Sequence, residues 1–201
     1  KKSYDEFCFE WLPVLRPLMK HLKLRKIPDP STLRKFAKRL KARWVHHALA
    51  NCVRLAFIDE VIAGIDGTGV NTRRGCVHYY KRIGRKSKRK DFVKVVSVAD
   101  MKTQLVTAIK IRKKTRHDNV DFKPLMKRTR KVIKIKRGVG DKGFDAQKNY
   151  TLMEELGAEF IAPVKNKNIP IHRTKGVHRK KLKKYFPKTK YGQRSKAETI
   201  F

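Results

Sequence analysis

Three carboxylates stand where this sequence could bind divalent metal ions. Asp66 follows the apolar run 61–65 and precedes a Gly-Thr-Gly stretch, which predicts a buried strand that ends on a charged residue. Asp141 stands between glycines after a second short run of strand character. Glu198 is the only acidic residue after Glu159. Because a buried charge is costly unless it is paired or bound to metal, these positions are candidate metal ligands.

Carboxylates of this kind suit the cleavage of phosphodiester bonds. Mg²⁺ prefers hard oxygen ligands. Two such ions about 3.5–4 Å apart can activate a water or a 3′-hydroxyl and stabilise the leaving oxygen. Nearby Lys and Arg side chains offset the charge that develops on the phosphate. The simpler interpretation is that each Asp opens a turn and that Glu198 pairs with Arg194 on one helix face.

The composition indicates a nucleic-acid partner. The chain has 201 residues and a formal net charge of +36, with 53 Lys and Arg against 17 Asp and Glu. So positive a chain repels itself unless a polyanion neutralises it, and nucleic acid is the natural candidate. An anionic membrane is the weaker alternative, since the sequence has no transmembrane run. The 40% hydrophobic content excludes a disordered basic tail.

The cysteines argue against a zinc ribbon and against a disulfide framework. Cys8, Cys52 and Cys76 are odd in number, far apart and form no C-x-x-C pair. This usage fits a reducing cytosol, so we expect a cytoplasmic protein associated with the nucleoid. The sequence shows no signal-peptide pattern and begins with Lys, which suggests a fragment.

Residues 1–58 are predicted to form an N-terminal helical region. Ser3 opens a first helix, and Asp29 or Ser31 caps a later one whose apolar residues recur at helical spacing over 33–48. The region is interpreted either as an accessory DNA-binding or dimerising domain, or as helices that only pack on the main domain. Two tryptophans are predicted to be core residues rather than platforms for base stacking: Trp11 and Trp44.

Residues 59–201 are predicted to form an α/β domain. After the strand that carries Asp66, a β-hairpin is expected, followed by alternating helices and strands, which implies a mixed sheet with helices packed on it. Asp118 or Asp121 is expected to cap the first of these helices. The predicted elements are hairpin strands 92–98 and 104–111, a helix to about residue 130, a strand 132–139, a helix 146–156 and a strand 158–164.

Two strongly basic stretches are candidate phosphate contacts. One is the run 81–90, which contains no acid, and the other lies within 165–190. Basic runs are commonly solvated loops, but in so cationic a chain a DNA contact is a fair expectation. The residues predicted to bind DNA are Arg85, Lys86, Lys88, Arg89, Lys90, Arg179, Lys180, Lys181, Lys183 and Lys184.

Three motifs in order resemble the signatures of the DDE transposases of bacterial and archaeal insertion sequences. The fourth and fifth insertion-sequence families are the nearest match, and the resemblance covers about residues 61–201. The motifs are Ile65-Asp66-Gly67-Thr68-Gly69, then Gly140-Asp141-Lys142-Gly143-Phe144-Asp145, then Tyr191-x-x-Arg194-x-x-x-Glu198.

The resemblance implies a ribonuclease-H-like core with a DDE catalytic site. Asp66, Asp141 and Glu198 would be the catalytic residues and would bind Mg²⁺, for which Mn²⁺ can substitute. Tyr191 and Arg194 would contact DNA or support the glutamate. Family members cut DNA at the transposon ends and join it to a target, and they usually act as homodimers in synapsis.

Two other functions stay open. The family pattern continues with a lysine after the glutamate, and this sequence ends before it, so a truncated or decayed transposase that binds DNA without catalysis is the alternative. A basic RNA-binding structural protein is a further possibility that the charge alone would explain. A catalytic role for the His117-Asp118 pair is less favoured than helix capping by Asp118.

Overall fold

A computed structural model describes residues 3–21, 23–71, 82, 84, 92–113 and 117–198. The chain forms two compact units, Lys1–His47 and Ala48–Phe201. The domain boundary expected between residues 58 and 59 stays a prediction. No helix in the described ranges has both the length and the apolar character that a bilayer crossing requires.

Short helices make up the first unit. Helix α1 (Tyr4–Glu6) runs into a π-helical turn (Phe7–Trp11) and is followed by α2 (Arg16–His21) and α3 (Pro30–Arg39). Helix α4 (Ala42–Leu55) begins in this unit and continues into the second.

The predicted helix caps are present in the first unit. The N–H of Glu6 donates to Ser3 Oγ at 3.1 Å, and the N–H of Ser31 donates to Asp29 Oδ1 at 2.7 Å. The single helix expected over residues 33–48 is wrong, because Leu40 is extended (φ −60°, ψ 121°) and separates α3 from α4.

The two tryptophans of this region are not core residues. Trp11 is 42% exposed and Trp44 is 56% exposed, so the expectation that both are buried is wrong. Apolar side chains that the first unit buries include Cys8 and Leu12. Helical spacing predicts which residues share an apolar stripe, but it does not show whether that stripe is buried.

The second unit is built on a five-stranded mixed sheet with the order β3-β2-β1-β4-β5. The β1/β2 and β2/β3 pairs are antiparallel, and the β1/β4 and β4/β5 pairs are parallel. Helices flank the sheet, which confirms the predicted α/β fold class and is consistent with a ribonuclease-H-like fold. The strands are β1 (Glu60–Asn71), β2 (Phe92–Asp100), β3 (Val106–Arg112), β4 (Lys134–Gly140) and β5 (Glu159–Ile161).

Among the described residues, five α-helices follow the hairpin. The first two are α5 (Asn119–Val132), which follows β3, and α6 (Gln147–Glu155), which connects β4 to β5. The last three follow β5: α7 (Val177–Lys184), α8 (Lys188–Gly192) and α9 (Ser195–Glu198).

The main core lies between one face of the sheet and helices α5 and α6. Alternate residues of β1 contribute to it, because successive side chains of a strand point to opposite faces. An added Cβ at Gly138 would lie 2.9 Å from Met153 and from Phe160, so a larger residue there would overpack the core. Fully buried members of this core include Val61, Ala63, Ile65, Phe122, Leu125, Met126 and Met153.

A smaller cluster lies on the opposite face of the sheet. Ile62 of β1, Val139 of β4 and Met101, which follows β2, form its buried part, and Tyr191 of α8 packs against them. The C-terminal helical segment therefore contacts the face that α5 and α6 leave uncovered.

Strands β1 and β5 differ most from the sequence-based expectations. Strand β1 does not end at Asp66, because it stays paired with β2 as far as Asn71 opposite Phe92. Strand β5 ends at Ile161 rather than at residue 164. Pro124 lies inside α5, beyond the first turn, where a helix tolerates proline best.

Candidate active site

Asp66 and Asp141 lie at the same level on neighbouring parallel strands. In the β1/β4 register Ile65 is opposite Gly140, and each aspartate is the next residue in its strand direction. Neighbouring strands are about 4.8 Å apart. Residues that are 75 positions apart in the sequence, from 66 to 141, are thus brought to adjacent positions across the sheet.

The strand alternation places both aspartates on the face that Tyr191 covers. Ile62 belongs to the small cluster, and Asp66 follows it on the same face of β1 by the two-residue period. Val139 belongs to the same cluster, and Asp141 follows it in extended backbone (φ −74°, ψ 176°). Both carboxylates are half-buried.

Backbone amides orient both carboxylates. The N–H of Gly67 donates to Asp66 Oδ1 at 2.9 Å. The N–H of Gly143 donates to Asp141 Oδ1 at 2.7 Å, and this bond caps a 3₁₀ turn at Lys142–Phe144. An added Cβ at Gly143 would lie 2.8 Å from Asp141 Oδ1, so the glycine allows the amide to approach the carboxylate.

The segment with the third motif lies on the same face. Tyr191 packs against the Ile62 cluster and meets Phe186 edge to face, with the ring centroids 5.1 Å apart. Backbone atoms of α9, which ends at Glu198, lie within 8 Å of β1. The N–H of Arg194 donates to the carbonyl of Tyr191 at 2.9 Å. The side chain of Glu198 lies outside the described residues.

A divalent metal fits this donor set. Asp66 and Asp141 offer hard oxygen ligands on one face, and an amide fixes one oxygen of each. They would hold the metal, with Glu198 as the third ligand that the sequence predicts. Among the side chains that the structure describes, no group of three His, Cys, Asp or Glu residues could do so, and that set does not include Glu198.

The predicted DNA-binding residues of the two basic stretches fall into three groups. Those at positions 85–90 lie outside the described residues. On α7, Lys180, Lys181 and Lys184 are exposed, whereas Lys183 Nζ donates to the carbonyl of Ile169. The remaining predicted residue of α7, Arg179, is bound to a buried carboxylate. Its DNA contact, like the others, stays a prediction.

Sequence reasoning missed the role of Asp145 in this part of the fold. Its buried carboxylate accepts hydrogen bonds from Tyr150 Oη at 3.0 Å, from the N–H of Lys165 at 2.8 Å and from Arg179 Nε at 3.1 Å. Burial, and then the charge of Asp145, raise the pKa of Tyr150. The network ties α7 to the loop that carries Asp141. The available signal was the second Asp in the Asp141 motif.

Sequence reasoning also missed a contact of Asp118. The residue stands at the N-cap of α5, as expected, but within the described structure its side chain makes no capping hydrogen bond. It forms an ion pair with Lys94 of β2 instead. Helix-start rules could predict the position of Asp118, but not its partner Lys94, which lies on a strand far away in the sequence.

Comparison with known proteins gives one family match. A family model described as "Transposase DDE domain" matches residues 59–201. The match starts just before β1 and includes all of the three motifs. A search of curated proteins and a search of solved structures each found no significant match.

Proposed function

The chain belongs to the transposase DDE-domain family, and from this premise we propose that it cuts DNA at transposon ends and transfers the strands into target DNA. The observation that carries the proposal is the pair Asp66 and Asp141, side by side on one face of the sheet. The fourth or fifth insertion-sequence family, and the ribonuclease-H-like superfamily, are the assignments that the three motifs favour.

The proposed roles follow from the positions of the acids. Asp66 and Asp141 would hold Mg²⁺, or Mn²⁺ in its place, together with Glu198 from α9. When bound, the metal would activate the attacking oxygen and stabilise charge on the leaving oxygen. The amides of Gly67 and Gly143 keep the two aspartates oriented before substrate arrives. In the first reaction water would cleave a P–O bond to leave a 3′-hydroxyl, which would then attack a target phosphate.

Cationic side chains near this face would bind the DNA backbone. A cleft of about 620 Å³ is bordered by Tyr191 and Phe186, and Lys167, Lys183 and Lys188 also line it. The exposed lysines of α7 extend the positive surface. We propose that phosphate contacts in this cleft, at Arg194 and at the basic run 85–90 hold the DNA. Two copies of the chain would bring the two transposon ends together in the nucleoid.

The test is metal-dependent nicking of supercoiled plasmid DNA by the chain and its variants. Asp66→Asn, Asp141→Asn and Glu198→Gln should each lower the nicking rate by more than about 100-fold. Removing a residue that only hydrogen-bonds to a metal ligand costs up to roughly 100-fold, and removing the ligand itself should cost more. Asp59→Asn, at an exposed position before β1, is the matched control and should nick normally. Salt-sensitive DNA binding by the unaltered chain without metal-dependent nicking would favour the alternative, a protein that binds DNA without cutting it.

A further inference from the structure

The face of β1 opposite to Asp66 has its own carboxylate. Gly67 follows Asp66, so its absent side chain would point to the other face. An added Cβ at Gly67 would lie 3.3 Å from the Cγ and Oδ2 atoms of Asp118. The Asp118 carboxylate thus fills the space that the glycine leaves, directly behind the residue whose amide binds Asp66.

Lys94 fixes this carboxylate from the neighbouring strand. Lys94 of β2 lies opposite Gly69 of β1 and forms an ion pair with Asp118 Oδ1. The two side chains are only 19% and 23% exposed. Solvent screens an ion pair less at such sites than at the open surface, so the contact is stronger than a typical surface pair. Asp118, Lys94 and Gly67 thus connect the start of α5 to β2 across β1.

We propose that Asp118 and Lys94 are positioning residues for Asp66; this inference rests on the proposed function, in which Asp66 binds metal. The ion pair holds the backbone at Gly67 from one side, and the Gly67 N–H holds the Asp66 carboxylate on the other. Metal sites need their ligands within about 0.5 Å of the productive position, so loosening Gly67 would weaken metal binding. The proposal also explains Gly67 of the Asp66 motif as space for the Asp118 carboxylate.

Helix α5 provides a matched control in Asp121. It pairs with Lys110 at 3.1 Å and with Arg112, both on β3, which lies one strand farther from β1 than Lys94 does. The Asp121 side chain is buried, so Asp121→Asn removes at least as large an electrostatic interaction from the same helix. It does so without a contact to Gly67 among those described.

The experiment measures Mn²⁺ binding to the full chain by electron paramagnetic resonance of the free ion, alongside thermal unfolding. Asp118→Asn and Lys94→Met should each raise the Kd for Mn²⁺ about 10- to 100-fold. Asp121→Asn should lower the melting temperature and leave the Kd unchanged. The charge swap Lys94→Asp with Asp118→Lys should recover part of the lost affinity. Gly67→Ala, whose methyl group presses on Asp118, should weaken binding in a folded protein even if the other variants unfold.

The outcomes separate this inference from the proposed function. If Asp66→Asn abolishes Mn²⁺ binding but Asp118→Asn and Gly67→Ala bind as the unaltered chain does, the positioning role is overturned and the proposed site stands. If Mn²⁺ binding does not depend on Asp66 at all, both fail. An equal loss of affinity in Asp118→Asn and Asp121→Asn would show a general structural effect and would also overturn the positioning role.

Discussion

Arg179 of α7 binds the buried carboxylate of Asp145, in the same motif as Asp141. Its Nη2 lies 2.9 Å from Asp145 Oδ2, and that carboxylate has no exposed side-chain surface. A residue that the sequence assigns to DNA binding therefore also holds a structural charge pair. Composition alone could not distinguish an arginine that contacts DNA from one that stabilises the fold.

Replacing Arg179 should destabilise the fold. Arg179→Met leaves Asp145 buried without its cation, and breaking one side of a buried pair costs about 3–5 kcal/mol. The free energy of unfolding in guanidinium chloride measures the loss. Lys180→Met, at the exposed neighbouring position, is the control and should unfold as the unaltered chain does. Weaker DNA binding by Arg179→Met with no change in stability would contradict this assignment.

The close approach of helix and sheet at Gly138 predicts a second loss of stability. Gly138→Ala would place a methyl carbon 2.9 Å from Met153 Cε, and overpacking of this kind costs about 1–3 kcal/mol. Gly192→Ala is the matched control, since no atom lies within 4 Å of its added Cβ in the described structure. Equal unfolding free energies for the two variants would show that the core adjusts at Gly138.

The raised pKa of Tyr150 predicts that the free energy of unfolding falls at alkaline pH. Its pKa is raised in the folded chain, first by burial and then by the Asp145 charge, while the unfolded residue ionises near the ordinary value of 10.0. The stabilisation is therefore complete below about pH 10 and is lost as pH rises above it, because the unfolded chain then releases a proton that the folded chain keeps.

The variant Tyr150→Phe isolates this effect. It should be less stable than the unaltered chain at pH 7 by about 1 kcal/mol, because the hydrogen bond to Asp145 is removed. The difference should shrink as pH rises beyond 10, which unfolding curves at several pH values would measure. If the difference in unfolding free energy stayed constant across that range, Tyr150 would ionise as readily in the folded chain as in the unfolded one.

The exposed lysines of α7 predict the salt dependence of DNA binding. Replacing Lys180, Lys181 and Lys184 by Met should reduce the slope of log K against log salt by about 0.9 for each phosphate that the protein no longer neutralises. The control replaces Lys123, Lys127 and Lys131, exposed lysines of α5, a helix on the face of the sheet opposite to Asp66 and Asp141. Equal reductions in both triple variants would indicate binding by net charge alone.

Local sequence patterns predicted the order of elements well. Two runs rich in β-branched residues predicted the β2–β3 hairpin, and Gly157 ends the helix before β5 with a φ of +72°, as glycine does at a helix end. These features depend on neighbours in the chain. The match between residues 59–201 and the DDE-domain family agrees with the three motifs that spacing and residue type had identified.

Features set by distant partners could not be predicted in the same way. The sequence indicated that β1 ends at Asp66, but β2 keeps the strand extended to Asn71. The ion pair of Lys94 with Asp118 and that of Arg179 with Asp145 likewise join elements far apart in the chain. Only the tertiary fold determines which of many lysines and arginines meets a given carboxylate.

Asp66 lies where strand β1 loses one of its two neighbouring strands. In the described sheet, residues 63–65 of β1 pair with both β2 and β4, whereas residues 66–71 pair with β2 alone. One edge of the strand is thus braced by an antiparallel ladder, whereas at Asp66 the other edge has no strand partner within the described sheet. The ladder fixes the backbone of the acid, and the edge without a ladder is the side from which we expect an extended ligand to reach it.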